Sequence, residues 1–218
     1  MIETIFRHGA DISLNTLAVT APIRIATLGP RGTSSEAAAT ELATTLAFRG
    51  HETVRVLLSD SYEEAAAEVL EDRANLMLVA NAYAGVSEFY MNPRFQLAAV
   101  FVKDTPNYGL ASLKPLEDGE GPMVVASHPA PIPLIDELLP DGLAVAEVVT
   151  ELSTSAAAEA AASGRVDAAL TTLPAATLHG LTFFSRTRPI RMLWSVFKAA
   201  EQRARIGERR GLRPEAAR

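Results

Sequence analysis

Short apolar runs alternate with longer, Ala-rich segments from residue 22 onward, and this alternation predicts an α/β fold. The runs are rich in branched aliphatic residues and predict strands, whereas the segments between them predict helices. The first elements are strand 23–28, helix 35–48, strand 53–58, helix 62–70 and strand 76–80. This order is typical of a largely parallel sheet covered by helices on both faces.

A second α/β series follows a change of composition at 103–116, where Pro106, Gly109 and Pro115 lie close together. Its elements are strand 123–126, helix 133–139, strand 144–149, helix 155–163 and strand 168–171. Two later apolar runs, 181–184 and 191–197, are expected to return to the first sheet, because their alternation needs a sheet to join. The pattern predicts two lobes joined by crossing strands, with a ligand cleft between them.

The expected folded body comprises residues 22–198, with lobe 1 at about 22–104 plus 180–198 and lobe 2 at about 105–179. Residues 1–21 are expected to form an N-terminal extension and residues 199–218 a charged, solvated tail. The tail holds six Arg and three Glu, so the net charge of −6 leaves −9 on the preceding 198 residues. A body this acidic is a poor partner for nucleic acid, and any bound anion must be held by local donors.

The sequence contains no cysteine, which excludes disulfides, thiolate metal sites and a cysteine nucleophile. No apolar run is long enough to cross a membrane, and residues 1–20 lack the apolar core of a secretory signal. We therefore expect a cytoplasmic protein without membrane contact.

The turn at residues 29–35 indicates an anion site. The free N–H groups of the following helix and the hydroxyls of Thr33, Ser34 and Ser35 converge there. The glycines match neither the dinucleotide fingerprint nor the P-loop. A simple N-cap, with Thr33 or Ser34 as the cap and Glu36 completing a capping box, also explains these residues.

A second hydroxyl-rich helix start lies at Ser153, Thr154 and Ser155, where capping is again the alternative. Polar loops also follow predicted strands at 81–85 and 127–129, and such loops gather at the carboxyl ends of strands. Two anion sites facing across one cleft would suit a small dicarboxylate. No His pair or His–carboxylate pair recurs in these loops at metal-binding spacing, so neither a metal nor another cofactor is expected.

These loops, in this order, resemble those of the catalytic domain of prephenate dehydratase. The similar motifs are Gly-Pro-x-Gly-Thr-x-Ser at 29–35, Ser-His-Pro at 127–129, Ser-Thr-x-x-Ala-Ala at 153–158 and Ala-Ala-x-x-x-Gly-Leu at 175–181. The resemblance covers roughly residues 22–198. It implies a two-lobed fold like that of type II periplasmic binding proteins, with mixed sheets and the ligand cleft between the lobes.

Two departures from the dehydratase pattern lead to a closer resemblance. Residues 81–85 read Asn-Ala-Tyr-Ala-Gly where dehydratases have a Glu-Asn-Ser loop, and Met192 and Leu193 stand where they have Thr-Arg. The chain is similar instead to the non-aromatising prephenate decarboxylases of bacilysin biosynthesis and related natural-product pathways. The similarity is most specific in Asp-Thr-Pro-x-Tyr-Gly-Leu-Ala at 104–111 and Trp-Ser-x-Phe at 194–197.

The closer resemblance implies decarboxylation of prephenate without aromatisation of its ring. In a dehydratase the threonine, supported by its neighbouring arginine, protonates the departing ring hydroxyl as CO2 leaves. Without that acid, a proton on a ring carbon must take up the released electrons, and the product is a dihydro-4-hydroxyphenylpyruvate that keeps its hydroxyl. The resemblance is also compatible with a homodimer.

The resemblance also gives the candidate site. His128, then Tyr83, then Tyr108 are the candidate proton donors, His128 first because imidazole titrates near neutrality. The hydroxyl-rich helix starts are expected to hold the pyruvyl carboxylate, and less polar walls to face the departing one. The expected substrate-binding residues are Thr33, Ser34, Ser35, Asn81, Ala82, Gly85, Ser127, Ser153, Thr154, Ser155, Met192 and Trp194. Phe89 is a further wall candidate, although core packing is the alternative for Phe89 and Met192.

Two other functions stay open at this point. A prephenate dehydratase with a different acid, for which Thr187 is the candidate, would release aromatic phenylpyruvate. A non-catalytic carboxylate-binding protein of the same fold would bind its ligand without turnover.

Overall fold

The computed structural model describes residues 22–48, 53–114 and 121–200, which form two sheets of five strands each. The strands of the first sheet are β1 Ile23–Leu28, β2 Val54–Ser59, β3 Leu76–Ala80, β4 Phe95–Asp104 and β10 Arg191–Ala199. Helices α1 Ser34–Phe48, α2 Tyr62–Leu70 and α3 Val86–Met91 connect its early strands. The spatial order is β2-β1-β3-β10-β4, and β10 is antiparallel to both its neighbours.

The second sheet has the order β7-β6-β8-β5-β9 and is also mixed, because β5 is antiparallel to both its neighbours. Its strands are β5 Tyr108–Ser112, β6 Met123–Ser127, β7 Val145–Thr150, β8 Ala168–Thr172 and β9 Thr182–Phe183. Its helices are α4 Ile135–Leu138, which follows a 3₁₀ turn at Ile132–Leu134, α5 Thr154–Ala162 and α6 Leu173–Leu178.

Helices cover both faces of the first sheet, as the near-continuous burial of β3 requires. Successive side chains of a strand point to opposite faces. Leu76 and Leu78 accordingly pack with α1, whereas Met77 and Val79 pack with α2. The two faces of this sheet therefore have separate apolar cores.

Two chain segments connect the lobes and pair with each other. Thr105, just after β4, donates its N–H to the carbonyl of Ile190 at 2.9 Å, and its hydroxyl accepts the Ile190 N–H at 2.9 Å. Tyr108 and Arg188 form an antiparallel bridge one step further on. The crossing strands expected from the sequence are thus a hydrogen-bonded pair beside the cleft.

The ten elements given above for the two α/β series are present close to their predicted bounds. Four further elements, α3, β4, β5 and α6, were not predicted. Gly109 indicated a break in the chain, yet it lies within β5, where a Cβ would come within 3.0 Å of Thr187. The short helices α3 and α6 have too few turns to show a helical period.

The prediction that 181–184 returns to the first sheet is wrong. Thr182 and Phe183 pair with β5 in the second sheet, because Leu181 and Phe183 pack against the Ala-rich core of that lobe. The chain rejoins the first sheet only at β10, which extends to Ala199, one residue into the expected tail. The N-terminal extension at 1–21 and the tail residues 201–218 lie outside the described residues. No helix in the described ranges is long and apolar enough to cross a membrane.

Candidate active site

A cavity of about 470 Å³ lies between the lobes, where the ends of strands from both sheets meet. The loops after β1, β2 and β3 line it from one lobe, and the loops after β6 and β7 from the other. The predicted site residues that line it are Thr33, Ser34, Ser35, Ala82, Tyr83, Tyr108, His128, Ser153, Thr154, Met192 and Trp194. Asn81, Gly85, Ser127 and Ser155 were also expected in the site, but they do not line this cavity.

At the start of α1, Thr33 is the N-cap. Its hydroxyl accepts the Glu36 N–H and donates to the Leu28 carbonyl, both at 3.2 Å, so the capping interpretation holds for this side chain. The Glu36 carboxylate accepts the Gly32 N–H at 2.7 Å. Gly32 has a φ of +87°, and a Cβ there would come within 2.9 Å of the Ala175 backbone. A glycine is therefore needed where this turn contacts the second lobe.

The two serines that follow Thr33 pair with tyrosine hydroxyls. Ser34 Oγ lies 3.1 Å from the hydroxyl of Tyr108, which belongs to the second lobe, and Ser35 Oγ lies 2.7 Å from that of Tyr62. The Tyr62 oxygen also accepts the Ala80 N–H at 3.2 Å. Burial raises the pKa of both tyrosines, so both phenols keep their protons at neutral pH. Hydroxyl donors therefore surround the first turn of α1.

The start of α5 faces the same cavity. Ser153 is the N-cap and accepts the Ala156 N–H at 3.0 Å, and Thr154 lies beside it. Ser155 points elsewhere, since its hydroxyl lies 3.1 Å from Nε2 of His179. The structure thus brings the two hydroxyl-rich helix starts together, with one serine of the second start turned away.

A third helix start, that of α2, also lines the cavity and was missed. Ser61 caps this helix and accepts the Glu64 N–H at 3.1 Å. Tyr62 and Glu63, however, also line the cavity. Nothing in the sequence marks Tyr62 as a site residue, because its partner Ser35 is 27 positions away.

Tyr83 donates its phenol hydrogen to Glu63 Oε1 at 2.5 Å. This hydrogen bond raises the pKa of Tyr83 to about 12, with burial as a smaller cause. Gly85 stands behind the ring: a Cβ on Gly85 would come within 2.6 Å of a Tyr83 ring carbon. Gly85 therefore makes room for Tyr83 without lining the cavity itself.

His128 follows β6 and is half-buried. Its Nδ1 accepts the Ala130 N–H at 3.2 Å, so the neutral ring carries its hydrogen on Nε2. Burial lowers the pKa of His128, and the neutral ring predominates at pH 7. Ser127 is buried and donates to the His128 carbonyl at 2.8 Å, so it shapes this loop.

Asn81 shapes the loop that carries Tyr83, as Ser127 shapes the loop that carries His128. Its carbonyl oxygen accepts the hydroxyl of buried Ser195 at 2.7 Å, and its amide donates to Tyr90 at 3.3 Å. The Asn81 N–H also donates to the Leu193 carbonyl at 3.0 Å. These contacts fix the loop against β10.

Met192 and Trp194 lie on one face of β10 and line the cavity. Trp194 is 1% exposed, and its indole N–H donates to the Lys103 carbonyl at 3.1 Å. Phe89, by contrast, packs with Phe95 and Phe197 in the core next to α2, which confirms the core alternative for this residue.

The formal charges on the described cavity wall are negative. Its described lining contains the carboxylates of Asp60, Glu63 and Glu151 and neither Lys nor Arg. Glu151 is paired with Arg165 at 3.0 Å. Within the described ranges, no group of His, Asp and Glu is arranged to hold a metal ion. An anion in this cavity would depend on helix N–H groups and hydroxyls.

The fold is that of prephenate dehydratases and periplasmic binding proteins. A prephenate dehydratase from Arthrobacter aurescens matches 82% of the chain with a TM-score of 0.62 at 16% identity, and the chain spans 61% of its length. An ABC transporter periplasmic substrate-binding protein from Coxiella burnetii matches 81% of the chain, which spans 84% of that protein, with a TM-score of 0.52 at 13% identity. Both likenesses concern the fold alone.

Curated relatives share much more of the sequence, although no family model matches the chain. The prephenate decarboxylase of Bacillus amyloliquefaciens is 38% identical over 184 residues, which cover 82% of this chain and 88% of the relative. The prephenate decarboxylase of Planktothrix agardhii is 38% identical over 176 residues, which cover 79% and 86%. At this identity and coverage, the chain belongs to the prephenate decarboxylase family.

Proposed function

We propose that this protein decarboxylates prephenate without aromatising it and releases a dihydro-4-hydroxyphenylpyruvate. The observation that carries the proposal is the position of Met192, which lines the cavity where the dehydratase pattern has a threonine acid. A thioether cannot protonate a leaving hydroxyl. The ring hydroxyl is therefore retained while the carboxylate departs.

Substrate binding separates the two carboxylates. The pyruvyl carboxylate is held at the start of α1 or α5, where N–H groups meet the hydroxyls of Ser34, Ser35 and Thr154. The hydroxyls of Tyr108 and Tyr62 lie within hydrogen-bond distance of Ser34 and Ser35 and hold these side chains at the helix start. The ring carboxylate lies against the apolar wall at Trp194, where poor solvation of its charge favours its loss as CO2.

The departing CO2 leaves its bonding electron pair in the ring, where conjugation spreads the charge to the two carbons that flank the carbinol carbon. A proton must form a new C–H bond at one of these carbons. His128 is the donor proposed here, because the Tyr83 hydrogen is committed to Glu63 and Tyr108 is paired with Ser34. The reactive form is the imidazolium, whose share increases as the pH falls.

We also propose that the enzyme works in the cytoplasm, in the biosynthesis of an antibiotic or other natural product, and that it acts as a homodimer. The cysteine-free sequence suits a reducing compartment. The pathway and the dimer rest on the resemblance to the bacilysin-type enzymes. Size-exclusion chromatography with light scattering tests the dimer.

Turnover of prephenate in D2O tests the proposal. The expected product carries one deuterium on a ring carbon beside the carbinol carbon and retains its carbinol proton signal. Phenylpyruvate without ring deuterium would favour a dehydratase. Thr187, the acid considered for that alternative, is exposed and does not line the cavity. Binding without turnover would favour a carboxylate-binding protein.

A further inference from the structure

The carboxylates of the cavity wall are hydrogen-bond acceptors for the ring hydroxyl in the reaction proposed above. Prephenate carries its pyruvyl arm and its ring hydroxyl on opposite ring carbons. When the start of α5, in the second lobe, holds the arm, the hydroxyl points toward the wall formed by the first lobe. Glu63 and Asp60, at the start of α2, are acceptors on the same wall.

Glu63 is the better placed of these acceptors, because Tyr83 holds it. Tyr83 donates to one carboxylate oxygen at 2.5 Å, and the Tyr83 ring lies 4.8 Å from that of buried Tyr62. Within the described part of the chain, Tyr83 is the one hydrogen-bond partner of the Glu63 side chain. The second carboxylate oxygen remains available to a ligand.

Retention of the ring hydroxyl is the difficult part of this chemistry. After CO2 leaves, negative charge lies on the carbons that flank the carbinol carbon. If the carbinol carbon then lost hydroxide, the ring would become aromatic. A hydroxyl that donates a hydrogen bond to a carboxylate gains electron density on its oxygen. It is then a poorer leaving group than one that accepts a hydrogen bond from an acid.

We propose that the Glu63 carboxylate accepts a hydrogen bond from the ring hydroxyl of the substrate and thereby determines the product. This proposal rests on the proposed function. In the step itself, the C–C bond to the departing carboxylate breaks, a C–H bond forms at a ring carbon, and the C–O bond remains intact. Glu63 neither gains nor loses a proton, so it determines specificity without acting as acid or base.

The test compares the products that purified wild type, Glu63→Gln and Glu68→Gln form from prephenate. Glutamine preserves the shape of Glu63 and the acceptor for Tyr83 but removes the negative charge. Glu68 is the control on the same helix, since it lies outside the cavity wall and pairs with Arg73. Glu63→Ala is a second variant, and circular dichroism checks that each protein is folded.

Glu63→Gln is expected to raise the ratio of phenylpyruvate to dihydro product by about tenfold, whereas Glu68→Gln keeps the wild-type ratio. An unchanged ratio in both Glu63 variants would overturn the proposal. An equal change in Glu68→Gln would also overturn it, because the effect would then not depend on the cavity wall. If the wild type forms no dihydro product, the proposed function itself has failed, and that result is distinct from the other two.

Discussion

Met192 and Leu193 are neighbours on β10 but face opposite sides of their sheet. Met192 lines the cavity, as does Trp194 two residues later, whereas Leu193 is 37% exposed and outside the cavity wall. The sequence resemblance aligns these two residues with the Thr-Arg pair of the dehydratase pattern. On this geometry, the first replacement changes the chemistry of the cavity and the second does not.

Met192→Thr is therefore expected to change the product by itself. The substitution puts a hydroxyl on the cavity wall, where it can donate a proton toward the ring hydroxyl. A hydrogen bond of this kind changes a barrier by about 1 to 3 kcal/mol, so phenylpyruvate should increase by about fivefold or more. Liquid chromatography measures the phenylpyruvate formed, after correction for spontaneous aromatisation of prephenate.

Leu193→Arg is the matched control for that variant and should leave the product ratio unchanged. If Leu193→Arg alone yields phenylpyruvate, the assignment of faces on β10 is incorrect. If neither the single variants nor the double variant yields it, a missing acid does not explain the retained hydroxyl.

Gly85→Ala should displace the Tyr83 ring, because the added Cβ would lie within 2.6 Å of it. The φ of Gly85 is −83°, so alanine causes no backbone strain there. We expect kcat/KM to fall by about tenfold or more while the free energy of unfolding changes by less than about 1 kcal/mol. Wild-type kcat/KM in a folded Gly85→Ala protein would show that the placement of Tyr83 is unimportant.

The cavity tyrosines should differ in their contribution to stability. Tyr62→Phe leaves the N–H of Ala80 and the hydroxyl of Ser35 without their partner in a buried region, at a cost of about 1 to 3 kcal/mol. Tyr83→Phe removes a hydrogen bond to an exposed carboxylate and should cost less than about 1 kcal/mol. Urea denaturation of both variants checks this order, and equal losses would contradict it.

The lowered pKa of His128 gives the sign of two pH effects. The unfolded chain binds a proton near the usual pKa of about 6.5, while the folded protein binds it only at lower pH, so His128 makes folding less favourable as the pH falls through this range. As a proton donor, the same side chain should make kcat rise as the pH falls. His128→Gln should abolish this rise, and a variant with the wild-type kcat and pH profile would exclude His128 as the donor.

Local chemistry made some of the site predictable from the sequence. Thr33 and Ser153 could be identified because a helix cap depends on neighbouring residues. Tyr62 could not, because its role depends on Ser35 and Ala80, which the fold brings together. An aromatic side chain such as Phe89 can line a binding site or pack in the core, and only tertiary contacts distinguish these two roles. Phe89 packs in the core.

The same limit explains the misplaced strand. The pattern at 181–184 identifies an apolar strand but carries no information about which sheet it joins. The small side chains of the second lobe leave space that Leu181 and Phe183 fill. Glu63 was missed for a related reason: a glutamate in the first turn of a helix is ordinarily a solvated capping residue, and Tyr83 is 20 positions away.

The most direct test of the central claim is a proton NMR time course of the purified protein with prephenate at neutral pH, with CO2 release measured in parallel. The account predicts one CO2 per prephenate consumed, persistent olefinic and carbinol signals, and no aromatic protons above a control without enzyme. Enzyme-dependent growth of phenylpyruvate signals would contradict it, since the cavity would then be aromatising the ring that Met192 is proposed to protect.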